Sequence, residues 1–159
     1  MEHPRRRLGA TVLILTQAGD KVLLVHPTYR EGWILPGGGA DPGESVSEAA
    51  RREVQEELGL SLVVTHGLTE DQVPADAVTG SPEGINIVCD GGRMTPEDAA
   101  ALSLPVTAAG ELRALAWVPL DQLSDYCEPF MERRVRAAVA AAVRNCRFPL
   151  LYEGRPAIA

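Results

Sequence analysis

The stretch 38-GGADPGESVSEAARREVQEELGL-60 constrains this chain more than any other part of it. Ser45, followed three residues later by Glu48, makes a capping-box pair, so a helix should begin at about Val46. Gly59 supplies a left-handed stop at its far end. In the run 51-RREVQEEL-58, five charged residues surround only two apolar ones. At about 100° per residue, Glu53, Glu56 and Glu57 fall on the same arc as Val46, Ala49 and Ala50. The small residues form a face that packs on a sheet, and the acids extend that face toward one end. Glu48, Arg51 and Gln55 point elsewhere, into water.

A solvated helix laced with ion pairs is the plain reading. Glu48 with Arg52, and Arg52 with Glu56, each contribute a few tenths of a kcal/mol at i,i+4 spacing. That reading leaves unexplained why three like charges share the core-side edge, where they repel one another. A bound divalent cation explains it. Carboxylate oxygens without His or Cys suit a hard ion, Mg²⁺ or Mn²⁺. Gly37, Gly38 and Gly39 just before the helix let the backbone approach a ligand closely. Such a cluster is weak evidence alone and gains weight from its position.

The rest of the 159-residue chain reads as one mixed α/β domain. Residues 8–16 and 21–26 form a hairpin turned at 17-QAGD-20. Further strands are expected at 33–35, 61–68, 84–90 and 112–118, with residues 36–43 as a turn-rich loop. The long connection 91–110 contains one helical turn near 96–100 and is the kind of loop that acts as a lid. Met131, Val135, Val139 and Val143 space an amphipathic helix over 128–146. Residues 1–147 are taken as the domain and 148–159 as its C-terminal strand or arm. Arg5–Arg7 ahead of 8-LGATVLIL-15 looks like a short secretory leader, but no A-x-A site follows and the run is β-branched, so it reads as a core strand. Three cysteines without a CxxC spacing argue against a disulfide framework and for a cytoplasmic setting. A net charge of −7 argues against nucleic acid or membrane as a partner through bulk charge, and leaves a small anionic substrate open.

Gly38, Glu44, Arg52, Glu53, Val54, Glu56, Glu57, Gly59 and Leu60 match each fixed position of G-x5-E-x7-R-E-U-x-E-E-x-G-U, with U apolar. The chain thereby resembles the Nudix (MutT-like) hydrolases. The hairpin, the entry 33-WILPGG-38 and the late segment 117-WVPLDQL-123 are similar to that family as well. The resemblance implies an α/β/α sandwich around a mixed sheet and Mg²⁺-dependent hydrolysis of a diphosphate linkage. It implies metal ligands at Glu53, Glu56 and Glu57 with the Gly38 carbonyl, Arg52 orienting a carboxylate, and Glu44 supporting the loop. The acid that takes the proton varies among such enzymes. Glu53 and Glu57 are candidates from the box, and Glu111 is the downstream candidate, with Glu97 and Asp98 behind it.

Substrate signals are sparse. Tyr29, Arg30 and Arg113 are the candidate substrate contacts, while Trp33 and Trp117 read as core. Pro74 and the loops at 69–84 and 91–110 favour a nucleoside diphosphate joined to a sugar, of the ADP-ribose type. The alternatives are a housecleaning (d)NTP pyrophosphohydrolase and a non-catalytic nucleotide sensor. The intact box favours an enzyme over a sensor. A small nucleotide is the expected partner, and a homodimer stays open.

Overall fold

Continuous apolar runs mark strands covered on both faces, and that pattern sets the architecture of the computed structural model, which describes residues 3–159. Strands β1 (Arg7–Thr16) and β2 (Lys21–Pro27) form the expected hairpin. Every residue from Gly9 to Leu15 is buried, so the leader-like run is a central strand. Strand β3 (Gly37–Gly39) pairs antiparallel with the start of β1, Gly38 opposite Ala10. The sequence placed the strand at 33–35 and a loop from 36. Instead, Ile34 makes only an isolated bridge to Val25, and the three glycines carry the strand.

Helix α1 (Val46–Leu58) has the expected bounds, with the reciprocal Ser45–Glu48 cap and Gly59 at φ 68°. The apolar stretch after it does not pair as a strand. Val64 is buried and its carbonyl accepts from the Ser47 hydroxyl, so this segment packs on α1. Strand β4 (His66–Val73) starts only where that packing ends, and β5 (Gly84–Met94) follows. Helix α2 (Pro96–Ala101), a short 3-10 turn at Val106–Ala108 and strand β6 (Leu112–Pro119) come next. Short α3 (Leu123–Tyr126) leads into α4 (Pro129–Val143). Met131, Val135 and Ala138 face the core, Val143 is exposed, and Arg134 joins the buried stripe. Strand β7 (Phe148–Pro149) pairs with β4, and β8 (Leu151–Tyr152) turns back as β9 (Arg155–Pro156).

The main sheet runs β6-β2-β1-β5-β4-β7, with β3 on β1. Only β1 and β5 pair in parallel; the other neighbours are antiparallel. Helix α1 covers the face that shows Ala10, because a side chain on its neighbour Gly38 would run into Glu53. Helix α4 covers the opposite face, where Arg134 meets Asp71 of β4 at 2.8 Å. This is the α/β/α sandwich with a mixed sheet. No helix among the described residues is long and apolar enough to cross a membrane. Cys89 and Cys127 are buried, Cys146 is exposed, and all three are free.

Candidate active site

The acid-bearing end of α1 lies against β3, and two glycines permit the approach. A Cβ on Gly37 would sit 2.3 Å from the Ala10 carbonyl oxygen, and one on Gly38 would sit 2.4 Å from Glu53 Oε1. The Gly37 N–H donates to Glu57 Oε2 at 2.9 Å. Glu57 is otherwise enclosed, only 6% exposed. Burial pushes its pKa up to about 8, against the pull of the Gly37 N–H and with help from the charges of Glu53, Glu111 and Glu56.

Arg52 organises the neighbouring acids. Its Nε and Nη2 donate to the two Glu44 carboxylate oxygens at 2.8 and 2.9 Å, a bidentate pair. Nη2 also donates to the Gly39 carbonyl at 3.0 Å, and Nη1 donates to Glu53 at 3.0 Å and Glu56 at 3.4 Å. Those bonds hold the Glu44 carboxyl below the usual range and raise the Arg52 pKa. Glu53 is raised, because desolvation outweighs the arginine's pull. Glu56 stays mostly exposed, at 59% of its side chain.

The acids therefore adjoin one another without converging on a point. Among the described residues, no three His, Cys, Asp or Glu side chains stand close enough to enclose a metal as they are placed. Arg52 holds Glu53 and Glu56, while Glu57 turns to Gly37. The residues nevertheless fit a hard cation. The donor set is all oxygen, Glu57 is buried with no cationic hydrogen-bond partner, and Gly38, lacking a Cβ, lets the Glu53 carboxylate lie against the β3 backbone.

The other sequence candidates gather at the rim. Glu111 is exposed, its charge raises both Glu53 and Glu57, and its carbonyl accepts from Thr28 N–H at 2.8 Å. Thr28 leads into Tyr29 and Arg30. Tyr29 is 72% exposed, and its hydroxyl pKa is raised by desolvation and by Glu57 and Glu111, while Arg30 and Arg7 oppose. The Arg30 guanidinium lies 5.9 Å from the ring centres of both Tyr29 and Phe130. Arg113 is committed elsewhere, since its Nη2 donates to the Thr28 carbonyl at 2.8 Å and braces that loop.

Glu97 and Asp98 belong to α2, where Asp98 closes the Thr95 cap. The 91–110 connection is not the bare loop that the sequence suggests. Trp117 Nε1 donates to the Ala99 carbonyl at 3.2 Å, so the 91–110 segment is strand, helix and turn fixed to the body. Trp33 is partly buried, stacked on His26 with centroids 4.9 Å apart.

Sequence reasoning missed a polar patch under α4. The Thr11 hydroxyl donates to Asn86 Oδ1 at 2.9 Å inside the sheet, and Asn86 stands opposite Asp71, which Arg134 pairs. The available signal was an asparagine in the apolar run 84-GINIVCD-90 and an arginine at i+3 from Met131.

Comparison with known proteins identifies the family. The NUDIX domain family model matches residues 5–143. A Klebsiella pneumoniae nucleoside triphosphatase NudI is 33% identical over 98 residues, covering 59% of this chain and 66% of that relative. A Caulobacter vibrioides RNA pyrophosphohydrolase is 31% identical over 159 residues, covering 91% of this chain and 90% of that one. A MutT Nudix hydrolase from Burkholderia pseudomallei is 26% identical with a TM-score of 0.65, over 87% of this chain and 98% of that structure. With the box on α1 beside β3, the fold around it and a match across most of its length, the chain belongs to the Nudix family of hydrolases.

Proposed function

We propose that this chain hydrolyses a diphosphate linkage in a nucleoside triphosphate, releasing a nucleoside monophosphate and pyrophosphate. The observation that carries it is the buried Glu57 beside the Gly37–Gly38 strand, with Glu53 held next to it by Arg52. Glu53, Glu56, Glu57 and the Gly38 carbonyl would hold a divalent cation. When bound, that ion, Mg²⁺ or Mn²⁺, neutralises phosphoryl charge and acidifies the attacking water. Arg52 fixes the direction of Glu53 and spreads its own charge over Glu44. Glu111, whose charge acts on both Glu53 and Glu57, is the base that receives the water's proton. Tyr29 and Arg30 flank the entrance and offer a ring and a guanidinium to base and phosphate.

The choice of a triphosphate departs from the sugar-diphosphate substrate that Pro74 suggested. Pro74 is an exposed residue just past β4, in a loop closed by the Asp76–Ser81 bridge. A nucleoside triphosphatase and an RNA pyrophosphohydrolase among the relatives favour triphosphates instead. A 5′-triphosphate RNA end is the second reading, because the RNA pyrophosphohydrolase aligns over nine tenths of both chains. The net charge of −7 weighs against it by repelling a long polyanion.

Incubating the protein with Mg²⁺ and (d)NTPs, a 5′-triphosphorylated oligoribonucleotide, nucleotide sugars and ADP-ribose distinguishes these readings by product chromatography. Pyrophosphate release from free nucleotides at the highest kcat/KM is the expected result. Cleavage of ADP-ribose to AMP and a sugar phosphate at a higher kcat/KM would restore the earlier substrate class. Tight binding with no turnover on any member would end the enzyme reading.

A further inference from the structure

The last residues of the chain return to the helix that bears the acids. Phe148 pairs opposite Gly67, and its ring fills the place where a Gly67 Cβ would sit, 2.3 Å away. Leu150 is buried, and its N–H donates to the Thr65 carbonyl at 2.9 Å. The Leu150 carbonyl accepts from Ala157 N–H at 2.9 Å, which closes the base of the β8–β9 hairpin. The hairpin turns through Glu153 and Gly154, at φ 49° and 76°, a pair that suits a tight two-residue turn. The arm is thus anchored on both sides of Tyr152. From that position the Tyr152 hydroxyl donates to the Gly43 carbonyl at 3.2 Å, 109 residues earlier in the chain.

Gly43 sits in the loop that joins β3 to α1, at φ 82°, a conformation with little intrinsic stiffness. Within that loop, Asp41 N–H donates to Glu44 and Glu44 N–H to the Asp41 carbonyl. Arg52 grips the same Glu44 from the helix side and passes on to Glu53. Among the described residues, Tyr152 is the one side chain from outside the β3–α1 unit that hydrogen-bonds residues 41–45.

We propose that Tyr152 is a positioning residue, its hydroxyl pinning the Gly43 carbonyl so that the loop presents Glu44 to Arg52 and Arg52 presents Glu53 beside Gly38. The inference rests on the reading of Glu53 as part of the catalytic centre. Its physical content is that a neutral bond at the surface fixes the outer end of a chain of charge-assisted bonds leading inward. Loss of the hydroxyl should leave the fold and the hairpin in place and loosen only the loop.

The test is Tyr152→Phe, with removal of residues 151–159 as a second variant. Hydrogen exchange at the amides of Asp41 and Glu44, the two protected by bonds within the loop, should accelerate about five-fold, the effect of losing one ordinary hydrogen bond. Titration with Mn²⁺ alone should show weaker binding by a similar factor, the melting temperature should hold, and kcat should fall with KM unchanged. The truncated chain, which also loses the Ala157–Leu150 bond, should repeat the exchange and Mn²⁺ changes with some loss of melting temperature. Unchanged exchange at these two amides would overturn the proposal, and so would acceleration spread across the chain of Tyr152→Phe with a lowered melting temperature. If the wild type neither binds Mn²⁺ nor cleaves any substrate, the catalytic reading fails, and the amides of Asp41 and Glu44 alone still decide whether Tyr152 holds the loop.

Discussion

Gly37 and Gly38 are adjacent, and each lacks a side chain for its own reason. At Gly37 a Cβ would meet backbone, the Ala10 carbonyl oxygen at 2.3 Å, and the residue stands at φ 136°. Neither the central strand nor that dihedral can yield cheaply, so Gly37→Ala should destabilise the fold by about 2–4 kcal/mol. At Gly38 the obstructing atom is Glu53 Oε1 at 2.4 Å, the far end of a flexible side chain. Gly38→Ala should therefore cost about 1 kcal/mol or less in stability while displacing Glu53 and lowering kcat about 100-fold. Urea melts beside turnover on the best substrate separate the two. A Gly38→Ala protein that turns over at the wild-type rate would mean that Glu53 is not held where the chemistry needs it.

Helix α1 shows how local rules set an element. Ser45 and Glu48 satisfy each other's backbone N–H, and Gly59 closes the far end. Ser45→Ala should lower stability by about 1 kcal/mol, read as a shift in the urea midpoint with unchanged slope. An unchanged midpoint would show that tertiary contacts already fix the helix start. These signals lie within a few residues of each other, which is why the bounds of α1 and the order of its acids were legible in the sequence. Strand β3 was not, because glycine has no strand preference of its own; β1 and α1 create a slot that demands glycine at 37 and 38. The apolar run at 61–65 misled in the opposite direction, since Val64 is buried against α1 instead of pairing. At the site, the box residues could be read from spacing. Thr11, Asn86 and Arg134 could not, because their polar atoms find one another only across the folded sheet and α4.

At the scale of the whole molecule, buried Glu57 and half-buried Glu53 make stability depend on pH. Glu57 has an ordinary value of 4.5 and is pushed up to about 8 in the fold, so the folded state holds that proton more tightly than the unfolded chain. Its contribution is fully present below about pH 4.5 and is lost as pH rises through about 8, and Glu53, also raised, acts in the same direction. Glu44, held low by Arg52, is already ionised across this window and adds no slope. The metal-free protein should thus lose melting temperature steadily from about pH 5 to 9, and Glu57→Gln should flatten most of that decline. Added Mg²⁺ should raise the wild-type melting temperature more at the alkaline end, where no proton competes for the carboxylate. A flat wild-type profile would show that Glu57 is not enclosed as described. The pairing of β1 with β5 carries a consequence of another kind. Thr11 and Asn86 lie 75 residues apart in sequence yet share one hydrogen bond at the centre of the sheet. During synthesis the first strand leaves the ribosome with its own central partner still untranslated. Until that partner emerges, Ala10–Leu15 has β2, β3 and α1 for cover but one long edge unpaired, so completion of the sheet waits on a distant contact.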